Sequence, residues 1–486
     1  MSRTQTTICP HTQQPLLTRE YPTEPEVAKV IETASAAQKE WAKVPLTDRI
    51  AIGHKFAAAF REMGNDDSIP RALTMEMGRP IKQGAGEIRG FLERADHLLS
   101  IAESALADVS LAESALADVS LADTDKPGFK RYIKRVPQGV VFVIAPWNFP
   151  YLVSINSVLP AILAGNSVIL KPSPQTPTTA ERIAACFASA GLPNGVIQVL
   201  HLSTELTSYV VQHPGVDFVS FTGSVPGGRA VEEAAVKANG FKGVALELGG
   251  KDPAYVREDA DLNYTVAELV DGAFFNSGQS CCAIERIYVH ASLYDDFVAR
   301  FVAAVKSYKL GSPEAPETNL GPVVSVASAE RIRKQVADAV KAGAKVLVPE
   351  ELFPVAKPGT AYVAPQVLVD VDHSMEIMTE ETFGPVVGIQ KVTSDAEAIK
   401  LMNDSPYGLT ASVWTNASAN PASQDAFVEI ADALETGTVF LNRCDYLDPA
   451  LAWTGVKNSG RGISLSKFGF DQLTRAKSIH MKIQTA

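Results

Sequence analysis

Apolar residues recur at helical spacing through the first quarter of the chain. Residues 26–63 read as two amphipathic helices broken at Pro45, with Thr47 as the N-cap of the second. A shorter helix is expected over 68–78, stopped by Gly78 and Pro80, and residues 86–121 are helix-prone and alanine-rich. Beyond Arg131 the pattern changes. Val140 to Ala145 is one continuous apolar run, the mark of a strand buried on both faces. It ends in the turn Pro146-Trp147-Asn148-Phe149-Pro150. Helical stretches over 151–164, 176–190 and 227–238 then alternate with strands at 167–170, 196–200, 218–221 and 244–248. This alternation predicts right-handed βαβ units and a mostly parallel sheet. A second α/β region begins near Gly250, with helices around 261–275, 293–307 and 327–342 and strands around 284–290 and 345–349. Thr438 to Leu441 and Ile479 to Ile483 read as strands near the end, the latter as an edge or intersubunit strand.

The helix-prone stretch contains an exact tandem repeat. Ala102 to Leu111 and Ala112 to Leu121 both read A-E-S-A-L-A-D-V-S-L. One duplication is not a solenoid, which needs at least three units. Ten more helical residues add ~15 Å and leave the following face about 80° short of whole turns. A second copy therefore does not extend the apolar stripe in phase, so it loops out or the helix realigns. Identity this complete suggests a recent duplication or an engineered insertion, and surface padding is the plainer reading.

At 486 residues the chain is too long for one compact core. Its 46% hydrophobic and 20% charged residues describe an ordinary globular protein. A net charge of −11 argues against a nucleic-acid partner. No apolar run approaches the ~20 residues that span a bilayer, so no membrane partner is expected. The cysteines at 9, 186, 281, 282 and 444 make no disulfide framework, and no cysteine–histidine cluster has metal spacing. Residues 1–10 lack the apolar core of a secretion signal. The expected compartment is a reducing, cytoplasmic one.

Candidate chemistry lies in the loops that follow strands. Cys281, in Gly278-Gln279-Ser280-Cys281-Cys282, has small and polar neighbours and suits a nucleophile; a lone cysteine is otherwise a small core residue. Glu247 ends an apolar strand before Gly249-Gly250 and is a candidate base, or a solvated strand-end carboxylate. Asn148, between two prolines, offers an amide to an oxyanion, or is a turn asparagine. Phe221-Thr222-Gly223-Ser224 joins a strand to a helix, where backbone amides can approach phosphate. It is not the G-x-G-x-x-G fingerprint. Lys171 ends another strand, free to bond a ribose or to sit in solvent.

Taken in order, these pieces resemble the aldehyde dehydrogenase superfamily from about residue 20 to 483. The motifs are Pro146-Trp147-Asn148-Phe149-Pro150, Lys171-Pro172-Ser173, Phe221-Thr222-Gly223-Ser224, Glu247-Leu248-Gly249-Gly250-Lys251, Gly278-Gln279-Ser280-Cys281, Glu381-Thr382-Phe383-Gly384-Pro385-Val386 and Asn403-Asp404-Ser405-Pro406-Tyr407-Gly408-Leu409. The resemblance implies an α/β fold with a Rossmann-like dinucleotide-binding domain (1–122 and 142–248) and an α/β catalytic domain (249–443). A small β oligomerisation arm with the C-terminal segment (123–141 and 444–486) completes it, in a homodimer or homotetramer. It implies Cys281 as nucleophile, Glu247 as general base, and Asn148 with the Cys281 backbone amide as oxyanion donors. NAD or NADP would lie against Lys171 at the adenine-side ribose and against Gly223, Ser224 and Trp147 near the pyrophosphate. Glu381 would meet the nicotinamide ribose and Phe383 the nicotinamide. Phe149, Val153, Asn156, Phe275, Leu447 and Trp453 would line the aldehyde tunnel.

Three departures from the family pattern stand out. Pro174 occupies the place where NAD-preferring members often carry a glutamate, so nothing there repels a 2′-phosphate. Ser157 and Ser464 stand near the places of a lysine and a glutamate that relay protons from the base in many members. The decapeptide exceeds the usual length before the arm. The mostly apolar tunnel, with Arg443 as its one nearby cation, favours neutral aliphatic or aromatic aldehydes. The alternatives are a semialdehyde dehydrogenase for an acidic substrate and a non-catalytic binding protein of the same fold. An acyl-transferring relative that uses coenzyme A would generally lack the glutamate seen here as Glu247.

Overall fold

The computed structural model of the chain describes residues 3–107, 109–110 and 128–484. A hairpin opens the chain, β1 (Thr4–Ile8) with β2 (Pro15–Glu20). Four helices follow: α1 (Glu24–Trp41), α2 (Leu46–Met63), α3 (Ser68–Met77) and α4 (Ile81–Leu106). The first two match the periodic pattern, but Thr47 is not the cap expected of it. The N-cap is Pro45, whose φ of −53° is already set for helix entry, so Thr47 falls inside the first turn. Gly78 ends α3 in the left-handed conformation, φ 84°, a helix stop that a side chain disfavours.

Helix α4 ends before the repeat does, so the helical expectation over 86–121 needs correction. Ala107 turns extended, at φ −57° and ψ 147°. Within the first copy, Val109–Ser110 form a short strand, β3, paired with β4 (Phe129–Pro137). Tertiary pairing outweighs the helix propensity of the alanines here. The second copy, Ala112–Leu121, lies outside the described residues.

The first large sheet comprises β5 (Val140–Ile144), β6 (Ser167–Lys171), β7 (Ile197–Val199), β8 (Phe218–Thr222), β9 (Gly243–Glu247) and β19 (Gly460–Arg461), in the order β19-β9-β8-β5-β6-β7. All its pairings are parallel except β19 on β9. Every side chain of β5 and β6 is buried. The crossover helices are α5 (Pro150–Leu163), α6 (Pro177–Ser189), α7 (Thr204–Gln212) and α8 (Val225–Val236). The hydrophobic pattern passes over α7, although Ser203 caps it by accepting from the Leu206 amide at 3.2 Å. On one face α2, α4, α5 and α6 enclose an aromatic core. There the Phe56 ring stacks on Phe187 and the Phe60 ring on Phe91, each with centroids 3.7 Å apart.

The second sheet is ordered β12-β13-β14-β11-β10-β16-β17. Its strands are β10 (Asp252–Val256), β11 (Ile284–His290), β12 (Lys345–Val346), β13 (Gln366–Val369), β14 (Val386–Val392), β16 (Thr410–Trp414) and β17 (Thr438–Leu441). The strand expected at 345–349 is thus only two residues long, antiparallel at the edge. Helices α9 (Leu262–Phe274), α10 (Tyr294–Lys306) and α11 (Val326–Lys341) flank this sheet. A short ladder joins β15 (Tyr407–Gly408) to β18 (Val456–Lys457). Finally β20 (Thr474–Lys482) runs antiparallel along the whole of β4, from Thr474 opposite Pro137 to Lys482 opposite Phe129. Among the described residues, no helix is long and apolar enough to cross a membrane.

Strand order reverses at β5, which has β6 on one side and β8 on the other. A crevice opens at such a point, beyond the C-terminal strand ends. The loops after β5 and β8 carry Trp147, Asn148, Gly223 and Ser224.

Candidate active site

A continuous cavity of about 1020 Å³ runs from this crevice to the second sheet. Its wall includes Cys281, Glu247 and Asn148, together with every residue expected to touch cofactor or substrate.

Cys281 lies between α9 and β11, on a backbone that turns sharply. Asn276 and Ser277 have φ of 51° and 57°, and Gly278 has φ 70°, with the Gly384 carbonyl where a β-carbon would project. The Gln279 side chain ties this turn down. Its amide donates to the Asn276 carbonyl at 3.0 Å, and its oxygen accepts from the Val324 amide at 2.8 Å. The two adjacent thiols have different fates. Cys281 is partly exposed to the cavity. Cys282 is buried and donates to Asp445 Oδ1 at 3.0 Å, beside the Ser280 hydroxyl, which donates to the same oxygen at 2.7 Å. The neighbouring Cys281 and burial push the Cys282 thiol well above its ordinary pKa. Burial also raises Asp445 to about 6, against the hydrogen bonds from Cys282 and Ser280. Sequence reading missed Asp445, which is distant in the chain and follows no motif.

Asn148 is buried on the turn after β5. Its Nδ2 donates to the Gln279 carbonyl at 3.3 Å, which sets the amide against the nucleophile loop. Arg79 donates to the Asn148 carbonyl and also pairs with the buried Glu87. Glu87 Oε1 in turn accepts from the Tyr151 and Leu152 amides at 2.9 and 3.1 Å, capping α5. One buried ion pair on and beside α4 thus holds both ends of the Asn148–Pro150 turn.

Glu247 ends β9. Protein surrounds its carboxylate, and its accessible surface faces the cavity. Burial raises its pKa, opposed by Arg94, Thr222, Trp453 and Ser464. The Ser464 hydroxyl stands beside the carboxylate but outside good hydrogen-bond geometry. Ser157 bonds Ser220 at 2.8 Å, hydroxyl to hydroxyl.

The other half of the cavity suits a dinucleotide. Ser224 caps α8 by accepting from the Gly227 amide at 3.3 Å, and a β-carbon at Gly223 or Gly227 would meet the Phe221 ring at 2.8 Å. That helix start is open to a phosphate. Lys171 is buried with one carbonyl partner, Pro172 at 3.2 Å, and burial lowers its pKa to about 8. Such an ammonium has donors left for ribose oxygens. Thr7 donates to the Pro174 carbonyl at 2.7 Å, so the opening hairpin fixes this loop. Glu381 accepts from the Gly250 amide at 3.1 Å, and burial raises it to about 8. Glu285, paired with the buried Lys251, accepts from the Thr382 and Phe383 amides and holds Phe383 at φ 50°. The Phe383 ring meets Trp147 edge-on at 5.5 Å. These residues fit a nicotinamide dinucleotide. Among the described residues, no group of three or more His, Cys, Asp or Glu side chains is placed to hold a metal ion.

On the substrate side Phe149 and Phe275 are parallel at 6.4 Å, with Val153, Asn156, Leu447 and Trp453 around them. The expected cation differs from the observed ones. Arg443 is exposed and stacks over Tyr446 at 3.4 Å, outside the cavity wall. Arg79, Arg89 and, from the buried face of α4, Arg94 line the cavity instead. A signal for Arg94 existed: Glu87, Phe91, Arg94 and Leu98 form one buried stripe of α4, and a charge on an apolar stripe is informative.

The aldehyde dehydrogenase family model matches residues 1–479. The chain is 36% identical over 414 residues to succinate-semialdehyde dehydrogenase [NADP(+)] of Mycobacterium avium, covering 85% of this chain and 83% of that one. It is 34% identical over 460 residues to vanillin dehydrogenase of Corynebacterium glutamicum, covering 94% and 90%. The structure of NADP-dependent glyceraldehyde-3-phosphate dehydrogenase from Bacillus halodurans, complexed with NADP, superposes with a TM-score of 0.89 at 31% identity. It covers 99% of this chain and 96% of that one. The chain therefore belongs to the aldehyde dehydrogenase family and is an enzyme that oxidises an aldehyde with NAD(P)+.

Proposed function

We propose that Cys281 is the nucleophile, Glu247 the general base, and Asn148 with the Cys281 backbone amide the oxyanion donors. The supporting observation is that a partly exposed thiol and a half-buried carboxylate share one cavity wall, while the adjacent thiol is locked in a hydrogen bond. The Cys281 sulfur adds to the aldehyde carbon, and the carbonyl oxygen takes the charge, facing the Asn148 amide. Bound NAD(P)+ supplies hydride acceptance. The thioester left on Cys281 is opened by water, whose proton passes to Glu247; the carboxylic acid departs and the thiol is restored. Lys171, Gly223, Ser224 and Trp147 hold the adenine and pyrophosphate side, and Glu381 and Phe383 the nicotinamide side. With no acid at Pro174, NADP is accepted as well as NAD.

The domain division is read from the sheets in outline, although β19 of the C-terminal segment joins the first sheet and β3 of the first segment joins the arm. Residues 1–122 with 142–248 bind the dinucleotide, 249–443 carry the nucleophile, and 123–141 with 444–486 form the arm and C-terminal segment. Among the described residues the outer edges of β20 and β17 are unpaired, and a long open edge such as that of β20 invites a second copy. A homodimer or homotetramer in a reducing, cytoplasmic setting fits these edges and the five free cysteines.

Absorbance at 340 nm with NAD or NADP and a panel of aldehydes tests the reading. Cys281→Ala should abolish turnover with cofactor binding largely kept. Glu247→Gln should give one stoichiometric burst of reduced cofactor and then a slow steady state. Turnover that survives Cys281→Ala and disappears in Cys282→Ala reverses the assignment, and a wild-type burst and rate in Glu247→Gln removes the base.

A further inference from the structure

Ser280 and Cys282 flank Cys281 in the chain, and their side chains converge on one oxygen. Asp445 Oδ1 accepts from the Ser280 hydroxyl at 2.7 Å and from the Cys282 thiol at 3.0 Å. With both neighbours drawn to the same carboxylate, the Cys281 side chain between them is left to the cavity, where it is partly exposed. Asp445 comes from far along the chain, in the loop after β17, and the backbone there is strained. Asp445 has φ 47° and Asn442 φ 52°, both in the left-handed region that side chains disfavour. Three anchors hold that loop. The Asn442 side chain accepts from the Thr415 amide and donates to the Thr415 carbonyl, each at 2.9 Å. The Asn442 carbonyl accepts from the Tyr264 hydroxyl at 3.0 Å. The Cys444 thiol faces the Glu268 carbonyl at 3.7 Å and packs on Gly272, where a β-carbon would collide with it. A loop pinned in a strained form thus aims one carboxylate at the two residues beside the nucleophile.

We propose that Asp445 is a positioning residue for the reaction: its carboxylate clamps the residues on either side of Cys281, so that the Cys281 sulfur keeps its line of attack on the aldehyde carbon and Cys282 stays out of the chemistry. The inference rests on the reading of Cys281 as the nucleophile. Asp445 acts through Ser280 and Cys282, not on the aldehyde. Alignment of this kind matters because a reacting atom displaced by about 1 Å can lose ~100-fold in rate. The rival account is purely structural: Asp445 only satisfies two donors, and Cys281 finds its place without it. Under that account a folded variant loses stability but keeps its rate and its choice of thiol.

The test joins kinetics to thiol mapping. In the native wild type, iodoacetamide should alkylate Cys281 and leave Cys282 unmodified, as read by mass spectrometry of the peptide that carries both; this needs no variant to fold. Asp445→Ala should lower the single-turnover rate of NAD(P)H formation by ~10–100-fold with the Kd for NAD(P)+ unchanged, and Cys282 should now be alkylated too. Asp445→Asn keeps an acceptor oxygen without the charge, so it should stay within ~3-fold of the wild-type rate and restore labelling of Cys281 alone. Ser280→Ala removes one of the two clamped groups; it should show a smaller loss of the same kind, and it carries the test if Asp445→Ala does not fold. A folded Asp445→Ala with the wild-type rate and labelling at Cys281 alone overturns the clamp. So does a native wild type in which both thiols are alkylated equally fast, or an Asp445→Asn as slow as Asp445→Ala. Turnover that survives Cys281→Ala is a separate failure: the nucleophile reading itself goes, and the clamp with it.

Discussion

Cys281 and Cys282 are adjacent, yet their surroundings divide their work. The Asp445 carboxylate takes the Cys282 thiol as a donor and leaves Cys281 to the cavity. Glu247 shows the same control by environment. Burial raises its pKa, so the carboxylate form needed to accept a proton builds up only above the ordinary carboxylate range. Thioester hydrolysis should therefore rise with pH through a midpoint above that range and then level off. The raised value also lets Glu247 compete better for the proton of water. Single-turnover hydrolysis of acylated enzyme across pH checks this. A midpoint in the ordinary carboxylate range, or an identical limb in Glu247→Gln, would remove the carboxylate from the step.

Elements place these groups by presenting strand ends and helix starts to one crevice. The loop after β6 is the simplest to probe. Pro174→Glu should raise discrimination for NAD over NADP, because a carboxylate there accepts from ribose hydroxyls and repels a 2′-phosphate. The ratio of kcat/KM for the two cofactors measures it, and an unchanged ratio would show that the position does not face the ribose. What the sequence made legible follows the range of the interactions involved. Strands β5, β6 and β8 could be read because burial on both faces demands unbroken apolar runs. Helices α1 and α2 could be read because one face of each is buried. Local signals failed where distant contacts decide. Val109–Ser110 look helical until they pair with β4, and Thr47 looks like a cap until Pro45 sets the helix start. Arg94 and Asp445 reach the cavity through packing between elements far apart in the chain, which no local window contains.

At the scale of the whole molecule, the described residues of the first decapeptide copy contribute nothing to the cavity wall. Every residue assigned to catalysis or cofactor lies on other segments, and the first copy already provides β3. A chain lacking Ala112 to Leu121 should therefore keep its turnover and melt at an equal or higher temperature, with any change appearing first in assembly. Melting, light scattering and the 340 nm assay on both forms test this; a deletion that misfolds or loses all activity shows that the second copy is built into the core. The strand β19 carries a different consequence. Gly460 pairs with Glu247, the Leu248 amide donates to the Ser459 carbonyl at 3.0 Å, and the buried Ser459 hydroxyl donates to the Gly249 carbonyl at 2.7 Å. The edge that holds Glu247 is thus completed by residues more than two hundred positions later in the chain. During synthesis the nucleotide sheet can assemble while the ribosome is still working, but β9 keeps an open edge until the last part of the chain emerges. A nascent chain or a C-terminal truncation would hold the thiol and the carboxylate without a fixed distance between them. The enzyme would in that sense be protected against early chemistry: one of its last strands to be made is the one that completes the edge holding Glu247.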